Sequence, residues 1–373
     1  MKKNKPLIYI LIMFIIGFLI GVLSYHQFLA TLIEGLKLIK WYVVFIIFFT
    51  TLFISILVHE VGHLIVLLKE GIKIKAIYVL CFTIVKHKNG WKFAIYPSLL
   101  KLVGGLVMPN LPLIDNEETY DQTIKSMSKA IKAGPIFSLG LAGFSIVSFI
   151  FFWAIKNPMM SGLSLYFMMF TLLITFLIWI SSKVSANGLY GDFVATERLK
   201  NNSKFALMYM LSGGDTSDYQ EENETFLWGK IIKELEKSTE IHSSEGQTFL
   251  SHYLDKIIFE QKIGSYAINE KLKYIYKNLN LKKIEHYTLA QQLLYFYYVY
   301  DESEAYIELQ NKLSKMEKNP KEKKTYKFWE QRTKYLTGQT KEDDYKQRPY
   351  DYHQTGWILK PLKFEDIEEQ PLK

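Results

Sequence analysis

The chain has 373 residues, 49% hydrophobic and 22% charged, with a formal net charge of +8 and one cysteine, Cys81. These figures exclude a disordered chain, a collagen-like repeat and a disulfide scaffold. Residues 1–196 hold 17 Lys and no Arg against 8 Asp and Glu, whereas residues 197–373 hold 28 basic against 29 acidic residues, so the positive charge belongs to the apolar half and no nucleic-acid partner is expected.

A hydrocarbon core about 30 Å thick is crossed by about 20 apolar helical residues. Leu7–Leu23 is uncharged, follows Lys2, Lys3 and Lys5, and lacks a small-x-small cleavage pattern, so it reads as an uncleaved anchor. Trp41–Val58 predicts a second span. It continues as Ile56-Leu-Val-His59-Glu60-Val-Gly-His63. Residues four apart share a helix face, so His59 and His63 point the same way with Glu60 one step round. That spacing suits two imidazoles on one zinc, with a glutamate beside a bound water. A pair of core histidines is the other reading. Three ionisable residues within five positions of a span weigh against it, since each costs on the order of 2.5–3.5 kcal/mol in the membrane unless it has a partner.

Residues 72–96 predict a hairpin: Ile74–Val85 is rich in β-branched and aromatic residues, Asn89-Gly90 marks a turn, and Trp91–Tyr96 follows. Its open edge is a place for an extended substrate to add a strand, or else merely the rim of a structural hairpin on the membrane surface. Gly134–Ile155 and Leu163–Ser182 predict the third and fourth spans. Gly134, Ser138 and Ala142 form a small-xxx-small row suited to close helix contact. After the fourth span come Asn187-Gly188, which suggest a helix break lining a wet cavity, and Asp192, the only acidic residue between Asp121 and Glu197. Asp192 reads as a third zinc ligand or as an N-cap for the helix that follows.

Lysine counts orient the spans. The tail has three and the 69–132 loop has ten, whereas residues 24–40 have only Lys37 and Lys40, and residues 156–162 only Lys156. Both termini and the zinc-binding end are therefore expected on the cytoplasmic side of a multi-pass cell-membrane protein. Beyond 212 the chain turns polar, and helical periodicity recurs around 224–237, 247–262, 267–278, 287–299, 302–316 and 323–336, with a tetratricopeptide-like look around 293–313.

An HExxH at the cytoplasmic end of one span, followed two spans later by an Asn187-to-Asp192 segment, resembles the site-2 proteases, the intramembrane zinc metalloproteases. Leu102-Val-Gly104-Gly105-Leu-Val-Met-Pro109 is similar to their Gly-Gly loop. Ala133-Gly134-Pro135-Ile-Phe-Ser138 resembles their Gly-Pro-x-x-Asn opening, with serine in the asparagine position. The resemblance implies one Zn2+ per chain held by His59, His63 and Asp192, Glu60 as the catalytic residue that activates water, and Asn187 and Ser138 beside the substrate. The expected fold is an α-helical membrane protein with about four transmembrane helices, a site-2 protease-like core with a membrane-associated β-hairpin, and a soluble all-α C-terminal domain. The divisions are an N-terminal anchor and outer loop (1–40), a metalloprotease core (41–200), a cytoplasmic helical domain (201–340) and an extended tail (341–373). The expected function is zinc endopeptidase action on a membrane-embedded or membrane-bound peptide or protein near the cytoplasmic face, the bilayer and a protein partner on the helical domain being the other contacts. The alternative is an inactive relative acting as membrane scaffold or peptide-toxin immunity factor.

Overall fold

The computed structural model describes Gly17, Gly21 and residues 28–87, 90–97, 104–186, 189–213, 221–239, 241–259 and 264–340. Nearly all of the first predicted span, Leu7–Leu23, lies outside the described residues, as do Asn187 and the 341–373 tail.

Among the described residues three helices are long and apolar enough to cross a membrane: α2 (Trp41–Lys69), α3 (Glu117–Ala154) and α4 (Pro158–Ser181). The short helix α1 (Phe28–Leu38) precedes them and packs on α4, where Gly35 lies so close to the Pro158 carbonyl and Gly162 that a Cβ on it would not fit. The three long helices are inside-out by the standard of a soluble protein. Their mutual interfaces bury Thr51, Ser55, Ser138, Ala142, Ser145, Ser161, Thr171 and Thr175, while Phe45, Phe49, Phe144, Val147, Phe151, Leu173 and Phe176 are exposed. Lipid tails are as apolar as leucine, so large residues gain nothing by leaving them, whereas small residues let helices approach. At the α2–α3 crossing Gly62 sits against Phe137 and the Ala133 carbonyl.

The largest departures from the sequence expectation are at the start of α3 and in the strands between α2 and α3. Helix α3 begins at Glu117, well before Gly134, because Asn116 caps it by accepting the Thr119 N–H and the polar stretch that follows contains no breaker. Pro135 lies inside this helix and leaves the Ile131 carbonyl without its usual donor, but does not end it. The second difference lies between α2 and α3. The predicted Ile74–Val85 strand is two strands, β1 (Lys73–Val79) and β2 (Phe82–His87), joined through Leu80, whose φ is 56°. No glycine or asparagine marks that turn, so the sequence hides it. β3 (Gly90–Ile95) completes the expected hairpin with β2, and the Gly-Gly segment adds a fourth strand, β4 (Gly105–Asn110), against β1. The sheet is antiparallel throughout in the order β3-β2-β1-β4. β4 contains Pro109, as an edge strand can.

A two-residue ladder, β5 (Ser185–Ala186) with β6 (Leu189–Tyr190), follows α4, and α5 (Asp192–Asn201) returns toward the site. The remaining chain is helical: α6 (Ser203–Gly213), α7 (Glu221–Lys237), α8 (Ser244–Phe259), α9 (Tyr266–Ile275), α10 (Ile284–Val299), α11 (Ser303–Ser314) and α12 (Lys323–Leu336). One buried cluster runs from Leu67 and Ile72 through Ala195, Leu199 and Phe205 to Leu250, Tyr297 and Trp329, so α5 and α6 join the membrane-proximal part to the helical part. Arg198 fastens that junction: its guanidinium stacks on Tyr190 and Phe205 and pairs with the buried Glu245 at 2.9 Å.

Candidate metal centre

Eighteen residues of helix separate Trp41 from His59, a rise of about 27 Å at 1.5 Å per residue, which brings the first imidazole to the far edge of the apolar layer. His59 and His63 project from one face of α2 toward α3, their ring centroids 4.7 Å apart. The rings come this close to α3 because the facing residue is Gly134. A Cβ there would stand 2.8 Å from His59 Cε1 and nearer still to His63 Nε2.

Hydrogen bonds on the far side of each ring decide what the near side offers. His63 Nδ1 lies 2.8 Å from the Ala130 carbonyl, which only accepts, so Nδ1 carries the proton and Nε2 an open lone pair. His59 Nδ1 lies 3.1 Å from Ser138 Oγ; with the Ser138 O–H donated to the Gly134 carbonyl at 3.2 Å, the serine oxygen accepts from Nδ1 and this ring too turns a bare Nε2 to the centre. The two Nε2 atoms are 3.1 Å apart.

Asp192 arrives from the other side of the bundle. Its Oδ2 lies 3.2 Å from His59 Nε2 and 4.0 Å from His63 Nε2. The turn that delivers it is tight. The Phe193 N–H donates to the Ser182 carbonyl at 2.9 Å, the Ser182 hydroxyl donates to Asp192 Oδ2 at 3.3 Å, and a Cβ on Gly191 would collide with the Ser181 carbonyl and with Ser182. Gly191 occupies the N-cap position and the helix has no side-chain cap, so the Asp192 carboxylate is turned to the imidazoles instead of capping α5.

Two ring nitrogens and a carboxylate oxygen thus meet within a triangle of 3.1, 3.2 and 4.0 Å. Their lone pairs repel one another unless a proton or a metal cation lies among them. A tetrahedral zinc shell with bonds of about 2.0–2.1 Å has edges of about 3.3 Å, so the donors fit zinc in both type and spacing. Glu60 belongs to the same neighbourhood, each of His59, Glu60 and His63 offering an atom within 4.8 Å of the others. Its carboxyl is buried and lies flat against Gly105 of β4, where any Cβ would overlap it. Glu60 therefore stands at the same group of side chains as the two imidazoles and Asp192.

A family model settles the kinship: that of peptidase family M50 matches residues 47–326. The chain belongs to peptidase family M50, the site-2 proteases. No curated protein and no solved structure matches it. M50 peptidases are zinc metalloproteases of the membrane, which agrees with the apolar helices and with the donor set. Membership supports an intramembrane metalloprotease in general.

Of the residues singled out in the sequence, His59, Glu60, His63 and Asp192 come together here, and Asn187 lies outside the described residues. Ser138 sits behind His59, 1% exposed and turned to the ring instead of to open space. Sequence reasoning missed the Ala130 carbonyl and the contact of Gly105 with Glu60. Nothing in the sequence marks a backbone carbonyl as part of a metal centre.

Proposed function

We propose that the chain is an intramembrane zinc endopeptidase with one zinc per chain, held by His59, His63 and Asp192, and that it hydrolyses a peptide bond of a membrane-embedded or membrane-bound protein near the cytoplasmic face. The observation that carries this reading is the convergence of two imidazole nitrogens and a carboxylate oxygen beside a buried glutamate.

When bound, zinc supplies Lewis acidity, acidifying water and polarising a carbonyl. The protein's own groups do the rest. His59 and His63 are held with Nε2 free by their partners on α3. Glu60 accepts the proton of the attacking water and passes it to the departing amine, a shuttle that its position against Gly105 leaves it free to perform. The peptide is held extended by β4. The Leu80 N–H donates to the Gly104 carbonyl at 2.9 Å, so the alternation of an antiparallel ladder turns the N–H groups of Gly105 and Val107 away from β1, toward the sheet's open edge. A substrate strand paired there has its backbone beside Glu60, and an extended segment is what hydrolysis needs, since a helix shields its peptide bonds. This moves the substrate edge from the expected hairpin to the Gly-Gly strand. The hairpin's outer face, with Phe82, Ile84, Trp91, Phe93 and Ile95 exposed, suits contact with lipid. The lysine distribution supports a cytoplasmic position for this end of the bundle. The junction of the helical domain with the Asp192 helix, through Arg198 and Glu245, supports a role for that domain in gating access or receiving a protein partner. No observation favours the inactive-relative reading.

The test uses the full chain in detergent, zinc analysis, and a panel of quenched fluorescent peptides each carrying an apolar segment of about 20 residues. Wild type is expected to hold one zinc and to cut members of the panel, and Glu60→Gln to keep the zinc while losing at least a thousandfold in rate. Cleavage retained in Glu60→Gln would reject the assigned base, and wild type without zinc would reject the centre.

A further inference from the structure

We propose that Ser138 is a positioning residue that sets the tautomer and ring orientation of His59. This rests on the reading of His59 as a zinc ligand. An imidazole can bind metal through Nε2 only if the proton sits on Nδ1, and the two neutral tautomers are selected by what Nδ1 finds to bond. The Ser138 hydroxyl donates to the Gly134 carbonyl one turn back in α3, at 3.2 Å, so its oxygen faces His59 Nδ1 as an acceptor at 3.1 Å. The serine is 1% exposed and cannot rotate toward open space. Its backbone is braced as well, the Thr175 hydroxyl donating to the Ser138 carbonyl at 3.4 Å, so residues of all three spanning helices bear on the ring.

The two histidines differ here. His63 receives the same service from the Ala130 carbonyl at 2.8 Å, which no substitution removes, whereas His59 depends on a side chain. Removing that hydroxyl leaves a buried Nδ1–H without an acceptor and lets the ring turn over to the Nε2–H tautomer, which has no lone pair for the metal. Loss of such a partner weakens metal binding about 10–100-fold.

The experiment measures zinc affinity by chelator competition on the full chain in detergent, together with nitrogen NMR of the metal-free, histidine-labelled protein, the His59 signals being assigned by their absence in His59→Asn. Ser138→Ala is expected to bind zinc 10–100-fold more weakly and to shift His59 from the Nδ1–H toward the Nε2–H tautomer. Ser138→Thr, which keeps the hydroxyl, should restore both. Ser145→Ala removes an equally buried α3 hydroxyl that, among the described residues, bonds the Ala142 carbonyl alone, and should change neither. Unchanged affinity and tautomer in Ser138→Ala would overturn the proposal. Should Ser138→Ala fail to fold, the wild-type spectrum decides alone, an Nε2–H tautomer at His59 being the refuting result. Failure of wild type to bind zinc would count against the proposed function, while the tautomer would still judge Ser138.

Discussion

At the residue scale the centre depends on what is missing as much as on what is present. Gly134 offers no side chain, and the space so left is filled by two imidazoles whose lone pairs face a carboxylate. In the middle of a helix a glycine is ordinarily a liability of about 1 kcal/mol relative to alanine. Gly134→Ala should therefore stabilise α3 by about that amount if packing were indifferent. We expect the reverse. The new methyl group would force the rings off α3, and zinc affinity by chelator competition should fall at least tenfold while helicity by circular dichroism stays unchanged. A more stable variant with wild-type affinity would show that the rings do not need this gap. The motif His59-Glu60-x-x-His63 was legible because its chemistry is local, two residues one helical turn apart. Asp192 was legible through its isolation among apolar residues and its place just after the fourth predicted span. The acceptors behind the rings were not, since a backbone carbonyl has no sequence signature.

At the element scale the strands show where periodicity succeeds and where it fails. The six helical segments after residue 221 match the predicted ones closely, because amphipathic helices advertise themselves in contiguous sequence. The sheet was half legible. β-Branched and aromatic residues flanking Asn89-Gly90 identified β-structure over 72–96, but the Leu80 turn carries no glycine, and nothing local announces that Gly105–Asn110 pairs with Lys73–Val79. That pairing creates the edge beside Glu60. Val107 turns its N–H to this edge and Phe93 turns its own to the opposite edge of the sheet, since the Tyr96 N–H donates to the Cys81 carbonyl and sets the alternation of the β2–β3 ladder. Val107→Pro is thus expected to lower turnover about tenfold or more with zinc content unchanged, and Phe93→Pro to leave turnover near wild type. Equal turnover in the two variants would remove β4 from substrate binding.

At the scale of the whole molecule, one apolar cluster extends from the foot of α2 into the helical part, and Glu70 ties α2 to α3 on the way. Lys129 and Ser126 bond its carboxyl and hold it below the usual carboxylate range. In the helical part His286 is buried and takes the Asn280 N–H on Nδ1 at 3.0 Å, while its Nε2 finds no partner among the described residues. Burial lowers its proton affinity, and Lys283 and His242 lower it further, with Glu285 opposing. The folded state therefore resists a proton that the unfolded chain takes up near pH 6.5. Because the unfolded state binds more protons, this residue's contribution to stability is intact above about pH 6.5 and declines as the pH falls below it, by up to about 1.4 kcal/mol per pH unit. Thermal unfolding at pH 7.5 and 5.5 should show that loss in wild type and a smaller one in His286→Gln. The same pH slope in both would exonerate His286.

The sequence by itself determined the elements and the chemistry: the apolar runs that must lie in lipid, the amphipathic helices that must not, and a helix face bearing two imidazoles and a carboxyl. Each of these is written in residues adjacent along the chain, where period and spacing translate directly into a face or a length. Only the tertiary structure decided which groups meet. The approach of Asp192, the bond from His59 to Ser138 and the contact of β4 with Glu60 all follow from how closely helices cross. That closeness is set by glycines and serines, whose smallness carries no chemical label until a neighbour occupies the space they leave.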